Sequence, residues 1–344
     1  MKKRFSDIIN GTWIITICLF TGITMESHRP VLIGFSFQNA DTTKPRNDSC
    51  ESNWSADFKL AAIKSPVDGE LQKAYFYKSK STRPQPLIVS LHSWSWDYRQ
   101  YDTISILSKE KEINYIHPNF RGQNWTKDAC CSDLVISDID DAIDYAIKNG
   151  NVDTSKIYVI GRSGGGYATI SAFMKSRHRI KKFSSWVPLT DLVSWYDETR
   201  IRKLSYADNI LICTHSANGK LNKEEAIQKS PIYWTTPAEK LRYAKLEIFD
   251  GIYDGLENNG PIPITHSINF YNKLLRDLKV SDSSKYISDA EKLKLLELRK
   301  PLGGFGKIAD RDICLMKEYG NIRITIFTGG HEMLQEYAFS ELIK

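Results

Sequence analysis

One serine, set among glycines between an apolar run and a helical run, constrains this chain more than any other stretch. Lys156-Ile157-Tyr158-Val159-Ile160 reads as a buried strand. Gly161-Arg162-Ser163-Gly164-Gly165 follows, and Gly166 to Met174 reads as a helix. A strand that turns straight into a helix leaves no room for side chains beside the turn, so glycines flank it. The turn lifts the Ser163 hydroxyl to the end of a sheet, with a backbone N–H nearby to receive a negative oxygen.

The rest of the chain alternates in the same way. Phe58 to Ile63 and Gln72 to Tyr77 read as two strands joined by a hairpin turn at Asp68-Gly69. Pro86 to Leu91 is a continuous apolar run, as expected of a strand buried on both faces. Ile113 to His117, Phe183 to Val187, Leu246 to Phe249 and Ile322 to Phe327 read as further strands. Val135 to Lys148 reads as a helix, with Ile136, Ile139, Ile143 and Ile147 at helical spacing. Strands alternating with helices predict an α/β fold with a mostly parallel, twisted sheet flanked by helices. Residues 196–244, with Tyr206, Tyr233 and Trp234, are expected as a small cap above the sheet. Residues 272–320 are expected as a charged, largely helical insertion carrying Leu293, Leu295, Leu296 and Leu298.

With 344 residues and 41% hydrophobic content, the chain can bury one large core. A net charge of +6 without a dominant Lys/Arg cluster reads as a solvated surface and gives no nucleic-acid signature. Lys2, Lys3 and Arg4 precede the apolar run Trp13 to Phe20, which fits a secretory leader within residues 1–40. A second apolar patch, Val31 to Phe37, follows, and cleavage is expected after Ala40 or earlier. The first run is too short for a membrane span, and Ile17 stands where a lipidation site at Cys18 needs a small residue. The expectation is a secreted or periplasmic protein, not held in a membrane once the leader is gone, with residues 41–344 as its working domain. Removing the leader from six cysteines leaves an odd number, so a complete disulfide set is not expected. The adjacent Cys130 and Cys131 lack zinc-ligand spacing and read as buried free thiols. Asp138, Asp140, Asp141 and Asp144 read as acids offsetting the dipole at the start of a helix, not as metal ligands. Neither a metal nor a cofactor is expected.

A serine hydroxyl is a poor nucleophile at neutral pH. It needs a histidine to take its proton and a carboxylate to orient that histidine. Leu246 to Phe249 runs into Asp250-Gly251-Ile252-Tyr253-Asp254-Gly255, which places Asp254 where the acid belongs. Asp250, at the strand end, is the competitor and is expected to brace the turn. Ile324 to Phe327 runs into Thr328-Gly329-Gly330-His331, which makes His331 the expected base. His92 and His117 end strands near the expected pocket, whereas His178, His215 and His266 lack such a setting. An oxyanion needs two N–H donors. Gly164, after the nucleophile, supplies one; Trp94, in the loop after Leu91, is expected to supply the other, with Ser93 as runner-up.

With these residues in place, Gly161 to Gly165 matches the nucleophile elbow of the α/β-hydrolases, in their chain order of Ser, Asp, His. From about Leu87 to the C-terminus the chain resembles the prolyl-oligopeptidase-like branch of that superfamily. Pro118-Asn119-Phe120-Arg121-Gly122, Asp138 to Tyr145, Gly161 to Gly166, Lys229-Ser230-Pro231 and Gly251 to Gly255 carry the resemblance. It implies an α/β-hydrolase fold with a small cap and no cofactor. Members with a catalytic domain alone resemble carbohydrate esterases, including pectin methylesterases. The chain departs from the peptidase members in two ways. Fewer than ninety residues precede the Leu87 strand, which leaves no room for their β-propeller, and Ser93 replaces the usual glycine after the oxyanion-loop histidine.

The leading expectation is a secreted serine esterase, monomeric or homodimeric. Its partner would be a polysaccharide ester: methyl-esterified pectin or an acetylated glycan. Trp96 and Trp125, with Trp94 beside them, fall on loops expected at a pocket rim, where sugar rings stack. Arg121, Arg162, Arg200 and Arg202 offer charge to a uronate carboxylate, with Arg162 expected to brace the elbow. Two alternatives stay open. One is an exopeptidase of the same branch, for which no acidic pair to hold a peptide amine is evident. The other is a non-catalytic carbohydrate-binding homologue.

Overall fold

The computed structural model describes residues 54–344; the leader, Cys18, Cys50 and the loop over residues 41–53 lie outside them. The hairpin of β1 (Lys59–Lys64) and β2 (Leu71–Tyr77) leads into β3 (Gln85–Leu91) and helix α1 (Thr103–Glu110). Then come β4 (Asn114–Pro118), α2 (Asp133–Asn149), β5 (Val152–Arg162), α3 (Gly164–Lys175) and β6 (Lys182–Trp186). Three short helices follow: α4 (Leu192–Ile201), α5 (Tyr206–Cys213) and α6 (Lys223–Gln228). The chain finishes with β7 (Lys245–Gly251), α7 (Thr265–Asp277), α8 (Asp289–Leu298), β8 (Lys307–Ile308), β9 (Arg311–Tyr319), β10 (Ile322–Phe327) and α9 (Gln335–Leu342).

The strands lie in the order β1-β2-β4-β3-β5-β6-β7-β10-β9-β8. The centre, β4 to β10, is parallel, and antiparallel strands close both edges. This is the mostly parallel sheet that the alternating pattern predicts. Helices cover both faces. On one, α1 and α9 send Ile104, Ala338, Phe339 and Leu342 against Ile88, Tyr158, Ile160 and Phe327. On the other, Ile139 and Ile143 of α2 and Ile170 and Phe173 of α3 join Leu87, Val89 and Val159. Each such aliphatic side chain, fully buried, contributes about 1.5–3 kcal/mol by its transfer out of water.

Three expectations need correction. The first concerns residues 272–320, which are helical only as far as Leu298. Arg311–Tyr319 is a nine-residue strand on β10, and its charged ends hid it because only Ile313, Cys314 and Leu315 face inward. The second concerns the aspartates of α2, which do not serve the helix dipole. The first turn holds Asp133, whereas Asp138, Asp140 and Asp141 lie further along and are buried against cationic and hydroxyl partners. Asp140 accepts from Ser176 Oγ at 2.5 Å and from the Arg177 N–H at 3.0 Å. The third concerns Cys130, which forms a disulfide with Cys213 across 83 residues, while Cys131 and Cys314 are free and buried. Burial pushes the Cys131 thiol up to about 12, so it stays a thiol.

Candidate active site

Ser163, Asp254 and His331 stand at the carboxyl ends of β5, β7 and β10, where open α/β sheets place their ligands. Ser163 caps α3 with φ 61° and ψ −119°, a conformation that costs a non-glycine residue about 1–3 kcal/mol. Its N–H donates to the Trp186 carbonyl at 2.9 Å, which ties the elbow to β6. His331 Nδ1 lies 2.6 Å from Asp254 Oδ2. That contact fixes the ring and leaves Nε2 as the nitrogen able to take a proton from a serine.

The acid and the base are held by interlaced loops. The His331 N–H donates to Asn259 O at 2.8 Å, and the Tyr253 N–H to Gly329 O at 2.9 Å. The other oxygen of Asp254 accepts from the Gly255 and Ile262 N–H groups at 2.8 and 3.2 Å. Arg202, at the end of α4, donates to the carbonyls of Gly255, Gly260 and Pro261. Gly260, with φ 146°, passes so close that a Cβ would overlap Asp254 Oδ1 and the His331 side chain. Neither Arg202 nor Gly260 carries a motif that sequence reasoning could use; their roles appear only when the loops fold together. Asp250, the competitor, sits fully buried behind Asp254 and accepts from Ser267 Oγ at 2.6 Å. Burial, then the Asp254 charge, raises its pKa well above the carboxylate range.

Gly164 opens α3, where the N–H has no intrahelical partner. A Cβ on it would overlap the Trp94 nitrogen, so the two backbones meet face to face. Ser93 N–H donates to Gln100 Oε1 at 2.6 Å, whereas no acceptor among the described residues takes the Trp94 N–H. The amides of Gly164 and Trp94 are therefore left without an acceptor beside the elbow among the described residues. His92, at the base of this loop, is stacked on Phe120 at 3.8 Å between centroids and bonded through Nε2 to Asn119 O at 2.7 Å. Burial pulls its pKa to about 4, which keeps it neutral.

The residues expected to hold a sugar are placed differently from one another. Trp96 is exposed, whereas the Trp94 ring is buried at the edge of Trp195 (4.9 Å) with its N–H on Asn209 Oδ1 (3.1 Å). Trp125 is half-buried, and its indole nitrogen has no partner. Arg121 is locked in place: Nε meets Asp138 Oδ2 at 2.7 Å and Nη1 meets Asp68 Oδ2 at 2.5 Å. Its side chain is 6% exposed, so no guanidinium edge remains for a substrate carboxylate. Among the described residues no group of three or more His, Cys, Asp or Glu side chains converges on a metal position.

The sheet order and the placement of Ser163, Asp254 and His331 at its carboxyl end are those of the α/β-hydrolase fold. Residues 101–238 match the model of the prolyl oligopeptidase family, peptidase S9. The matched stretch holds Ser163; Asp254 and His331 lie beyond it and join the site through the sheet. The chain is 24% identical over 168 residues to acylamino-acid-releasing enzyme 1 of Oryza sativa subsp. japonica, covering 41% of this chain and 22% of that protein. Its fold is similar to that of the acylaminoacyl peptidase of Pyrococcus horikoshii (TM-score 0.54, 18% identity, 83% of this chain and 40% of that one). It is also similar to oligopeptidase B of Leishmania major (TM-score 0.53, 12% identity, 84% and 36%). The chain thus spans 22% of the curated relative's length and 40% or less of these solved chains.

Proposed function

We propose that the chain is a serine peptidase that cleaves short, N-blocked peptides through an acyl-enzyme. The 2.6 Å contact between His331 and Asp254, beside a strained serine elbow, carries this reading. Ser163 Oγ attacks the scissile carbonyl while His331 Nε2 takes its proton. Asp254 steadies the imidazolium, and the Gly164 and Trp94 amides receive the oxyanion. His331 then protonates the leaving amine, and water releases the acyl group by the same route. The family match and the peptidase relatives support an amide substrate. An N-blocked peptide needs no acidic pair to hold an amine, which suits a sequence in which none is evident. A second reading, ester removal from plant polysaccharide fragments, rests on the exposed indole of Trp96 beside the oxyanion loop. The disulfide between Cys130 and Cys213 supports work in an oxidising compartment, where such bonds persist.

The test pairs a fluorophosphonate probe with a substrate panel. The protein should be labelled, and should release nitroaniline from acetyl-aminoacyl nitroanilides; Ser163→Ala should lose both activities by at least about 10³-fold while melting as the parent does. Labelling without amide turnover, together with methanol or acetate release from methylated pectin or acetylated xylan, would transfer the assignment to the esterase reading. Labelling of Ser163→Ala as strong as that of the parent would remove Ser163 from the mechanism.

A further inference from the structure

Arg162, the residue before the elbow serine, forms no ion pair among the described residues. The other three arginines singled out by the sequence are all engaged. Arg121 sits between Asp68 and Asp138, Arg202 on the acid-loop carbonyls, and Arg200 lies 3.7 Å from Asp197 on the surface. The Arg162 guanidinium meets no acceptor within bonding distance among the described residues, and the residue is half-buried. A half-buried cation with no hydrogen-bonded anion gains from one that enters its site.

The space beside it is built for a polar guest. Arg162 lines a cavity of about 80 Å³ with Ser93, Gln100, His117 and Gln335. The His117 Nε2 is buried without a hydrogen-bond partner among the described residues. Asp102 also lines the cavity, but its oxygens are committed: Oδ2 accepts from Ser90 Oγ at 2.5 Å, and Oδ1 from the Ser105 N–H at 2.9 Å and Tyr115 OH at 3.1 Å. Glu332, the other acid whose field reaches Arg162, accepts from Arg311 at 3.2 Å and from the Gly330 N–H at 3.3 Å. Neither carboxylate lies within ion-pair distance of Arg162 among the described residues.

We propose that Arg162 is the carboxylate-binding group of this site: the substrate carries an acid that enters the cavity beside the elbow and pairs with the guanidinium. This deepens the hydrolase reading and rests on it. The acid could come from a peptide or from a uronic sugar, and a guanidinium holds either in a two-pronged bond.

Binding is measured by calorimetry on Ser163→Ala, so the result does not depend on turnover. N-acetyl-Ala-Ala is compared with its amide for the peptide source, and galacturonate with galactose for the sugar source. The acid of at least one pair should bind 10-fold or more tightly than its neutral partner. Arg162→Gln in the same background should erase that difference, and Arg162→Lys should keep part of it. Equal affinity within both pairs, or a preference that survives Arg162→Gln, would overturn the proposal. Should Arg162→Gln fail to fold, competition on the unaltered protein decides. The acid must then slow fluorophosphonate labelling at 10-fold lower concentration than the amide, and equal potency counts against the role. Loss of labelling in Ser163→Ala is a separate result, so failure of the nucleophile and failure of the anion site are distinguishable.

Discussion

Two histidines near the oxyanion loop set a pH limit on this protein at the scale of single residues. His92 and His117 are fully buried, and burial pulls both pKa values to about 4. In the unfolded chain each titrates near about 6.5. A depressed folded pKa means that the unfolded state takes up the proton first. The penalty is therefore absent above about pH 6.5, grows as the pH falls, and levels off below about 4. Each histidine should remove about 3 kcal/mol of unfolding free energy between pH 7 and 4. Urea titrations across that range read it out, and His117→Gln should flatten the fall by about half of the histidine contribution. An unchanged pH slope in the variant would mean that His117 takes up its proton at the same pH folded and unfolded. The same scale shows what the sequence could and could not disclose. Ser163, Asp254 and His331 were legible because each sits beside glycines just past an apolar strand. Arg121 was misread because its partners lie 53 residues before it and 17 after it, and charge type alone does not say where a partner is.

Between elements, Arg121 is a clamp. It joins the turn between β1 and β2, through Asp68, to the middle of α2, through Asp138. The Asp138 carboxylate is 1% exposed, so removing the arginine strands a buried charge. Arg121→Met should cost about 3–5 kcal/mol of stability, measured by urea unfolding. If the residue bound substrate instead, the variant would keep its stability and raise KM. Sequence patterns read elements well where burial was two-sided. Leu87 to Val89 of β3 and Ile157 to Ile160 of β5 are continuous apolar stretches, β10 sets Ile322, Ile324 and Ile326 at strand spacing, and α2 repeats isoleucine at helical spacing. The pattern failed for β9 because only two residues of β8 cover its outer side, and charged residues at both its ends are exposed or half-buried.

Across the whole molecule, one covalent link joins the small helices to the sheet body. Cys130 precedes α2, and Cys213 ends α5. A bridge closing 83 residues stabilises by about 4 kcal/mol in the chain-entropy account. Cys213→Ser, or reduction of the parent, should lower the melting temperature by several degrees, and reduction should not lower that of Cys213→Ser further. An equal drop on reduction of both would place the effect elsewhere. The pairing could not be read from the sequence, since cysteine counting leaves the partner undetermined and an odd count argued against any complete set.

Trp94 has two attachments that are usually kept apart. Its amide faces the elbow, and its indole is gripped by Asn209 of α5 and packed on Trp195 of α4. Two of the small helices are here joined, through a single side chain, to the amide proposed to receive the developing negative charge. In the proposed mechanism, selectivity and rate are then not independent dials. A sequence change that re-tilts the cap to admit a new substrate also turns the amide, and evolution of the one is constrained by the other.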